Sequence, residues 1–425
     1  MGDGNAANAA PAYGNYPPGV LFSAAFNTSV TPITPAKANP SYPTPAQGES
    51  LCNCPLMAGL AAIAWVNRQF ILNSITPADN VGNYSVTFWD YPNAGSPPQV
   101  PVPGLNAGCQ LNGLWGNPVP VTVTVSGTIP LVNASPVDPA TGMTYGAGSC
   151  NASEIWPALY EKAYAKFMMY RAGIPSLEKL DAAGNPSSLT VADLADPTMD
   201  PSFSEVQNLT PVQWGGNAGV GLMYLTGMPV YAYDLTSTAF TPTGHVPTNT
   251  PGIFMYIKNG FCSQTNAPPY GVYKTRYPLV AWTYPDGSQP VGVTYGPGGI
   301  IADHCYSILG FKMVTNADNS VSNYIILRTT YGTGAIANTV PNPNPLGLQP
   351  LVNAPAMTCY DALFLIKAPK PYTASYYPTG INPRPNNIAI NLANGIFGIE
   401  ASIPCTNNLT TFQNYFSMLG WAEGY

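Results

Sequence analysis

The run CPLMAGLAAIAWV, residues 54 to 66, constrains the fold more than any other part of this 425-residue chain. Pro55 lies at its start, where the first turn of a helix tolerates proline, and no further proline follows within the run. The run therefore predicts a helix that begins at Cys54. Because its residues are apolar on nearly every side, this helix must be buried among other elements.

The residues after this helix predict strands and a second helix. The segments YSVTFWDY (84–91) and VPVTVTVSG (119–127) carry alternating β-branched and aromatic residues between Pro and Gly, which is typical of strands. The segment SEIWPALYEKAYAKFMMY (153–170) has apolar residues at helical spacing, with Ser153 as a candidate N-cap. It predicts an amphipathic helix.

Further along, helices become fewer and strands more frequent. Helices are predicted in VGLMYLTG (220–227) and GIFMYIKNG (252–260). Strands are predicted in PLVAWTY (278–284), HCYSILGFKMV (304–314), NYIILRTTY (323–331) and CYDALFLIK (359–367). Helices early and strands late indicate an α+β protein of two lobes.

The pattern divides the chain into four segments. Residues 1–46 are rich in Pro, Ala, Asn and Thr and predict an irregular N-terminal arm. Residues 47–215 form the subdomain with Cys54, and residues 216–368 form the subdomain with His304. Residues 369–425 predict an irregular C-terminal extension. Sites commonly lie between two such lobes.

The low charge content limits the possible partners. Charged residues make up 8% of the chain, against about 25% in ordinary soluble proteins. No basic patch is present, so nucleic-acid binding is not predicted. The apolar run around residues 55–66 is shorter than the ~20 residues that a membrane span needs, so no membrane span is predicted. The composition favours an extracellular, cell-surface or virion location over the cytosol, and no signal-peptide pattern is visible at the start.

The cysteine and acidic residues predict neither a cofactor nor a metal. No C-x-x-C pair suggests zinc, and the cysteines are too dispersed for a disulfide scaffold. They are Cys52, Cys54, Cys109, Cys150, Cys262, Cys305, Cys359 and Cys405. Asp193, Asp196 and Asp200 are predicted as loop and capping residues rather than calcium ligands.

Cys54 has the placement that a nucleophilic thiol requires. The N-terminus of a buried helix stabilises a thiolate and lowers the pKa of the thiol. The alternative is an inert buried cysteine, since cysteine is among the most buried residue types. Cys52 is the rival nucleophile, but it precedes the predicted helix.

A thiol nucleophile needs a base, and the chain contains two histidines. His245 lies in TPTGHVPTNTPG, which predicts a surface loop. His304 follows Asp303 and opens a predicted strand, where a rigid backbone would hold the imidazole. The alternative for His304 is a histidine that packs in the core without a catalytic role.

Several segments in order resemble the catalytic core of the calpains. QGESLCNCPLMAGLAAIA is similar to the calpain nucleophile segment, and SEIWPALYEKAYAKFM is similar to a calpain helix, which is the most specific match. ADHCYSILG, YIILRTTYGTG and MTCYDALF resemble the histidine segment and the two segments after it. FWDY and VTVTVSGTIP resemble the calpain strands that follow the nucleophile segment. These matches extend from residue 47 to residue 367.

The resemblance implies a papain-like cysteine protease core with a cleft between two subdomains. It implies Cys54 as the nucleophile, His304 as the general base and then acid, and Gln47 with the Cys54 backbone N–H as the oxyanion hole. The substrate would be a polypeptide, hydrolysed through an acyl-enzyme. Asp303 is predicted to support the histidine.

Some positions depart from the calpain pattern. Gln47 lies one residue further from Cys54 than in the family, and Pro55 replaces the Trp after the nucleophile. Thr329 aligns with the Asn that orients the histidine, and Tyr331 with the Trp that shields it.

Two functions therefore stay open. The first is an active calpain-like endopeptidase with a modified third position. The second is a weak or inactive pseudoenzyme that is a structural or interaction subunit of a virion or cell-surface assembly, self-associating or binding a partner through its terminal arms.

Overall fold

The computed structural model describes most of the segments that carry these predictions. The described residues are 11–16, 21, 45–46, 51–92, 109–110, 116–137, 144–149, 154–215, 218–235, 257–262, 272–290, 295, 300–315, 321–330, 389–393, 396–400 and 411–423. The predicted strand CYDALFLIK and the beginning of GIFMYIKNG lie outside them. Helices and sheets are both present, which confirms the mixed α+β class.

The helices and strands have the following bounds. The helices are α1 (Cys54–Val66), α2 (Arg68–Ser74), α3 (Trp156–Ala172), α4 (Val191–Leu194), α5 (Phe203–Gln207), α6 (Ala218–Thr226) and α7 (Thr411–Tyr415), with a 3₁₀ turn at Pro197–Met199 and a π-helical turn at Ile257–Phe261. The strands of the first part are β1 (Ala12–Gly14), β2 (Pro45–Ala46), β3 (Ile75–Pro77), β4 (Asn83–Asp90), β5 (Cys109–Gln110), β6 (Val119–Ser126), β7 (Ile129–Leu131), β8 (Gly148–Ser149), β9 (Pro175–Leu180) and β10 (Pro186–Ser188). The later strands are β11 (Val230–Asp234), β12 (Val272–Thr283), β13 (Cys305–Thr315), β14 (Val321–Thr329), β15 (Ala389–Ala393), β16 (Ile396–Glu400) and β17 (Phe416–Ala422).

Helix α1 is the centre of the first hydrophobic cluster. Every residue from Cys54 to Trp65 is buried. Helices α3 and α6 and the three-stranded sheet β3-β4-β6 contribute many of the other buried residues of this cluster. Helix α6 approaches the first turn of α1 so closely that a Cβ on Gly221 would lie 2.8 Å from the Pro55 carbonyl oxygen. Glycine at this position permits the contact between the two helices.

Among the described residues, eight strands form one antiparallel sheet. Its strand order is β15-β16-β14-β13-β12-β17-β11-β5. Both faces of this sheet are covered, because Val280 and Trp282 belong to the cluster around α1 whereas Leu279 and Ala281 belong to a second cluster. A strand buried on both faces has no hydrophobic alternation, which explains the continuous apolar run in β12.

The structure differs from the predicted segment boundaries in two places. Helix α6 packs with α1 in the first cluster, so this cluster continues beyond the predicted boundary at residue 215. The predicted irregular extension 369–425 contains β15, β16, α7 and β17. Strand β17 lies inside the large sheet, between β12 and β11. Its residues alternate between two buried faces and include Gly420, so the sequence has no amphipathic strand pattern there.

The described parts of the N-terminal arm pair with the chain itself. Strand β1 pairs with β7, and β2 pairs with β8. The Tyr13 ring lies edge-on against Phe203. The Lys162 ammonium lies over the face of the Tyr13 ring, 4.6 Å from its centroid. These contacts hold residues 12–14 against the first cluster.

Within the described ranges, none of the helices is both long and apolar enough to cross a membrane.

Candidate active site

Cys54 is the first residue of α1, as the sequence predicts. Asn53 precedes it as the N-cap residue, but its side chain makes no capping hydrogen bond to the helix. The partial positive charge of the helix N-terminus therefore acts on the Cys54 sulfur without a neutralising cap oxygen from Asn53. Cys54 is 9% exposed.

The Asn53 side chain is held by Glu161 of α3 instead. Asn53 Nδ2 donates a hydrogen bond of 2.6 Å to Glu161 Oε2, and the Ala147 backbone N–H donates to the same oxygen at 2.8 Å. Glu161 is fully buried, and this burial raises its pKa to about 8. A contact from a second helix thus fixes the residue next to Cys54.

His304 is held in the turn just before β13. Its backbone N–H donates to Thr283 Oγ1 at 3.0 Å, and its carbonyl accepts from the Thr283 backbone N–H at 3.0 Å. The imidazole is 4% exposed and lies edge-on to the Tyr306 ring, with the centroids 5.2 Å apart. The backbone of His304 is therefore anchored at both its polar groups.

The hydroxyl beside the imidazole belongs to Thr330 and not to the predicted Thr329. Thr330 Oγ1 lies 2.8 Å from His304 Nε2. Thr329 is the residue opposite Tyr306 in the β13–β14 pairing, so its side chain lies on the same face of the sheet as Tyr306. Thr330 is the first residue after β14, and its hydroxyl reaches the imidazole from the turn that follows the strand. Both threonines are buried.

The Cys54 thiol has a pKa well below its ordinary value of 9.0. The largest cause is a hydrogen bond from the Cys305 side chain; the charge of His304, a hydrogen bond from His304 and the Cys305 backbone N–H also lower it. Together they outweigh burial, which raises the pKa. By contrast, the pKa of Cys52 is raised. Cys52 lies at the surface, and the causes are the partial loss of solvent around its sulfur and the nearby Cys54. Of the two thiols, Cys54 has the thiolate character that a nucleophile needs.

Two hydrogen bonds set the register between α1 and β13. Ser307 Oγ donates to the Ala58 carbonyl at 2.8 Å, and Trp65 Nε1 donates to the Leu309 carbonyl at 2.7 Å. One helical turn before Ala58 is Cys54, and two strand residues before Ser307 is Cys305. The distance from Cys54 to Ala58 along the helix is nearly equal to the distance from Cys305 to Ser307 along the strand. The register therefore places the two cysteines opposite each other.

Three residues of this site are not predicted from the sequence. Thr330 is adjacent to an identical residue, and only the pairing of β14 distinguishes them. Cys305 is next to His304 and two residues before Ser307, whose side chain faces α1. Because strand side chains alternate, Cys305 is expected to face α1 as well. Glu161 lies in α3, which is buried on all sides from Trp156 to Met169 and not amphipathic as predicted, and its contact with Asn53 depends on how two helices pack.

Of the other predicted site residues, the structure describes Asp303. Gln47 and Tyr331 lie outside the described residues, as does His245. Asp303 is exposed and has a positive φ of 51°. Its carboxylate accepts a hydrogen bond of 3.2 Å from the Asp286 backbone N–H. This contact supports the turn that leads into His304.

In the part of the chain that the structure describes, no group of three or more His, Cys, Asp or Glu could hold a metal ion. The three aspartates considered above have structural contacts. Asp193 forms a capping box with Thr190 and an ion pair of 2.6 Å with Lys179. Asp196 caps the 3₁₀ turn, and Asp200 accepts from the Ser126 backbone N–H at 2.8 Å. All three thus act as capping or loop residues.

Comparisons with known proteins assign no family to this chain. No protein-family model matches it, and no curated protein matches it. Among solved structures, the SERA5 proenzyme of Plasmodium falciparum is similar at 11% identity, over 62% of this chain and 57% of that chain, with a TM-score of 0.15. The chain thus spans little more than half of that structure. A TM-score of this size carries no argument about fold or activity.

Proposed function

We propose that this chain is a cysteine endopeptidase with a papain-like core similar to that of the calpains. The observation that carries the proposal is the series Cys54, His304 and Thr330. It combines a thiol of lowered pKa at a helix N-terminus with an imidazole that lowers this pKa and contacts a hydroxyl through Nε2. A nucleophile, a base and a group that orients the base form the arrangement that activates thiols in catalysis.

The proposed reaction has two half-reactions. The Cys54 thiolate attacks a peptide carbonyl, and the oxyanion is bound by the Cys54 backbone N–H and by Gln47. His304 then gives its proton to the leaving amine, which leaves an acyl-enzyme. His304 next removes a proton from water, the water attacks the acyl carbon, and the Cys54 thiolate is released.

Thr330 has the positioning role in this proposal. Since Nε2 contacts Thr330, we infer that Nδ1 is the ring nitrogen directed at the Cys54 sulfur. The Thr330 hydroxyl accepts the Nε2–H, which fixes the tautomer and stabilises the imidazolium. It replaces the amide of the calpain-type site.

Substituting the two adjacent threonines separately tests this role. Thr330→Val removes the hydroxyl and keeps the shape, and it should lower kcat by about a hundredfold through loss of imidazole orientation. Thr329→Val is the matched control, because this equally buried side chain lies on the Tyr306 face of the sheet and the imidazole contacts Thr330 instead. Its kcat should stay within about twofold of wild type. Steady-state hydrolysis of a quenched peptide library supplies both values.

Equal effects of the two substitutions would contradict the assignment of Thr330. The pH profile adds a measurement that a merely structural role would not change. The pH midpoint of the limb of the kcat/KM profile that reports ionisation of Cys54 and His304 should shift in Thr330→Val. It should stay at the wild-type pH in Thr329→Val.

Covalent labelling tests the proposed function as a whole. A thiol-directed epoxide should modify Cys54 in the native protein, and mass spectrometry locates the adduct. With iodoacetamide, the rate of Cys54 labelling should rise with a midpoint well below pH 9, because its thiolate persists below the ordinary thiol pKa. Labelling of Cys52 should have its midpoint above pH 9, because its pKa is raised.

The control variants are Cys54→Ala and Cys52→Ala. The first should lose the epoxide adduct and all hydrolysis, and the second should keep both. Native protein in which Cys54 resists the epoxide while other cysteines react would end the proposal. That result would favour the alternative of a structural or interaction subunit.

A further inference from the structure

We propose that Cys54 and Cys305 form a peroxide-sensitive thiol pair, in which oxidation of Cys54 is captured as a reversible disulfide with Cys305. The proposal shares Cys54 with the proposed function. It needs only the two thiols and a peroxide, so it can hold whether or not the chain hydrolyses peptides.

The geometry of α1 and β13 brings the two thiols together. The Ser307–Ala58 hydrogen bond of 2.8 Å fixes the position of β13 along α1. Cys54 lies one helical turn before Ala58, and Cys305 lies two strand residues before Ser307, on the same face of the strand. Both cysteines are buried in the same cluster at this level, and a hydrogen bond from the Cys305 side chain is the largest influence on the Cys54 thiol. Neither cysteine is in a disulfide, and both belong to the first hydrophobic cluster.

The first chemical step is oxidation of the Cys54 thiolate. Its sulfur attacks one oxygen of hydrogen peroxide, the O–O bond breaks, and hydroxide leaves. The hydroxide is protonated by the buffered solvent and becomes water. Cys54 is then a sulfenic acid, and the peroxide has been reduced by two electrons.

The second step is capture by Cys305. The Cys305 sulfur attacks the Cys54 sulfur, the S–O bond breaks, and the leaving hydroxide takes the Cys305 thiol proton as water. The product is the Cys54–Cys305 disulfide. A dithiol reductant returns both thiols by exchange. Capture by an adjacent thiol protects Cys54 from further oxidation to the irreversible sulfinic acid.

Two other described cysteines serve as comparisons. Cys52 is two residues from Cys54 and exposed, so it is the competing thiol for capture. Cys262 is buried in the second cluster, and its pKa is raised by burial. It should remain reduced under conditions that oxidise Cys54, because oxidation follows thiolate character and exposure.

Disulfide mapping after peroxide treatment tests the proposal. The full chain is treated with hydrogen peroxide, free thiols are blocked with N-ethylmaleimide, and the unreduced digest is analysed by mass spectrometry. Wild type and Cys52→Ser should both give a Cys54–Cys305 linked peptide that dithiothreitol removes. Cys305→Ser keeps a hydrogen-bond donor but cannot form the bond. It should accumulate at least about tenfold more Cys54 sulfinic acid than wild type.

Two results would overturn the proposal. One is wild-type protein whose Cys54 proceeds to sulfinic acid without the linked peptide. The other is a disulfide between Cys54 and Cys52, found as a loop within a single peptide. The mapping of wild type decides the matter even if Cys305→Ser fails to fold. Because the readout is a covalent bond, its failure is distinguishable from an absence of peptide hydrolysis.

Discussion

Replacing His304 by alanine is expected to lower kcat/KM for peptide hydrolysis by about a thousandfold or more. The imidazole is the proposed proton acceptor for the thiol and the proton donor for the leaving amine. Its charge and hydrogen bond also lower the Cys54 pKa. The variant should therefore show a second change, an upward shift in the pH midpoint of Cys54 alkylation.

The chain offers a matched control in its other histidine. His245→Ala should leave both kcat/KM and the alkylation midpoint of Cys54 at the wild-type values. Thermal unfolding of each variant shows whether the protein remains folded. If His304→Ala retains full activity, or if the two histidine variants lose it equally, His304 is not the base.

Replacing Glu161 by glutamine is expected to remove a large pH dependence of stability. Burial raises the Glu161 pKa from 4.5 to about 8, so between these pH values the folded protein keeps a proton that the unfolded chain has released. The stability that the protonated carboxyl contributes is complete below pH 4.5 and is lost as pH rises through about 8. The slope is about 1.4 kcal/mol per pH unit within this window. Glutamine is neutral throughout and keeps an acceptor for Asn53 and Ala147.

Urea unfolding from pH 5 to pH 9 measures this effect. The free energy of unfolding of Glu161→Gln minus that of wild type should increase as pH rises, by several kcal/mol over the window. Glu178→Gln, at an exposed position of β9, is the control and should retain the wild-type slope. Parallel profiles for wild type and Glu161→Gln would show that Glu161 is not protonated in the folded protein near neutral pH.

The part of the fold predictable from sequence is the part with strong local patterns. The all-apolar run from Cys54 specifies a buried helix, since no other environment suits such a helix. The run WPALYEKAYAKFMMY likewise specifies α3, and the β-branched runs specify β4 and β6. Each of these signals is contained within fewer than twenty residues.

What the sequence does not specify depends on pairing between distant residues. Strand β17 is buried on both faces by elements far away in the chain, so it has no pattern of its own. Thr329 and Thr330 are identical side chains, and the register of β14 against β13 determines which of them contacts His304. The Cys54–Cys305 contact similarly depends on how α1 lies against β13.

The position of β17 between β12 and β11 has a consequence for the order of assembly. Its partners in β12 lie more than a hundred residues earlier in the chain, so these pairs close a long loop. Until residues 416–422 insert, β11 and β12 each present an unpaired edge to any other extended chain. We therefore expect this part of the sheet to be completed late and to be open to intermolecular pairing during folding.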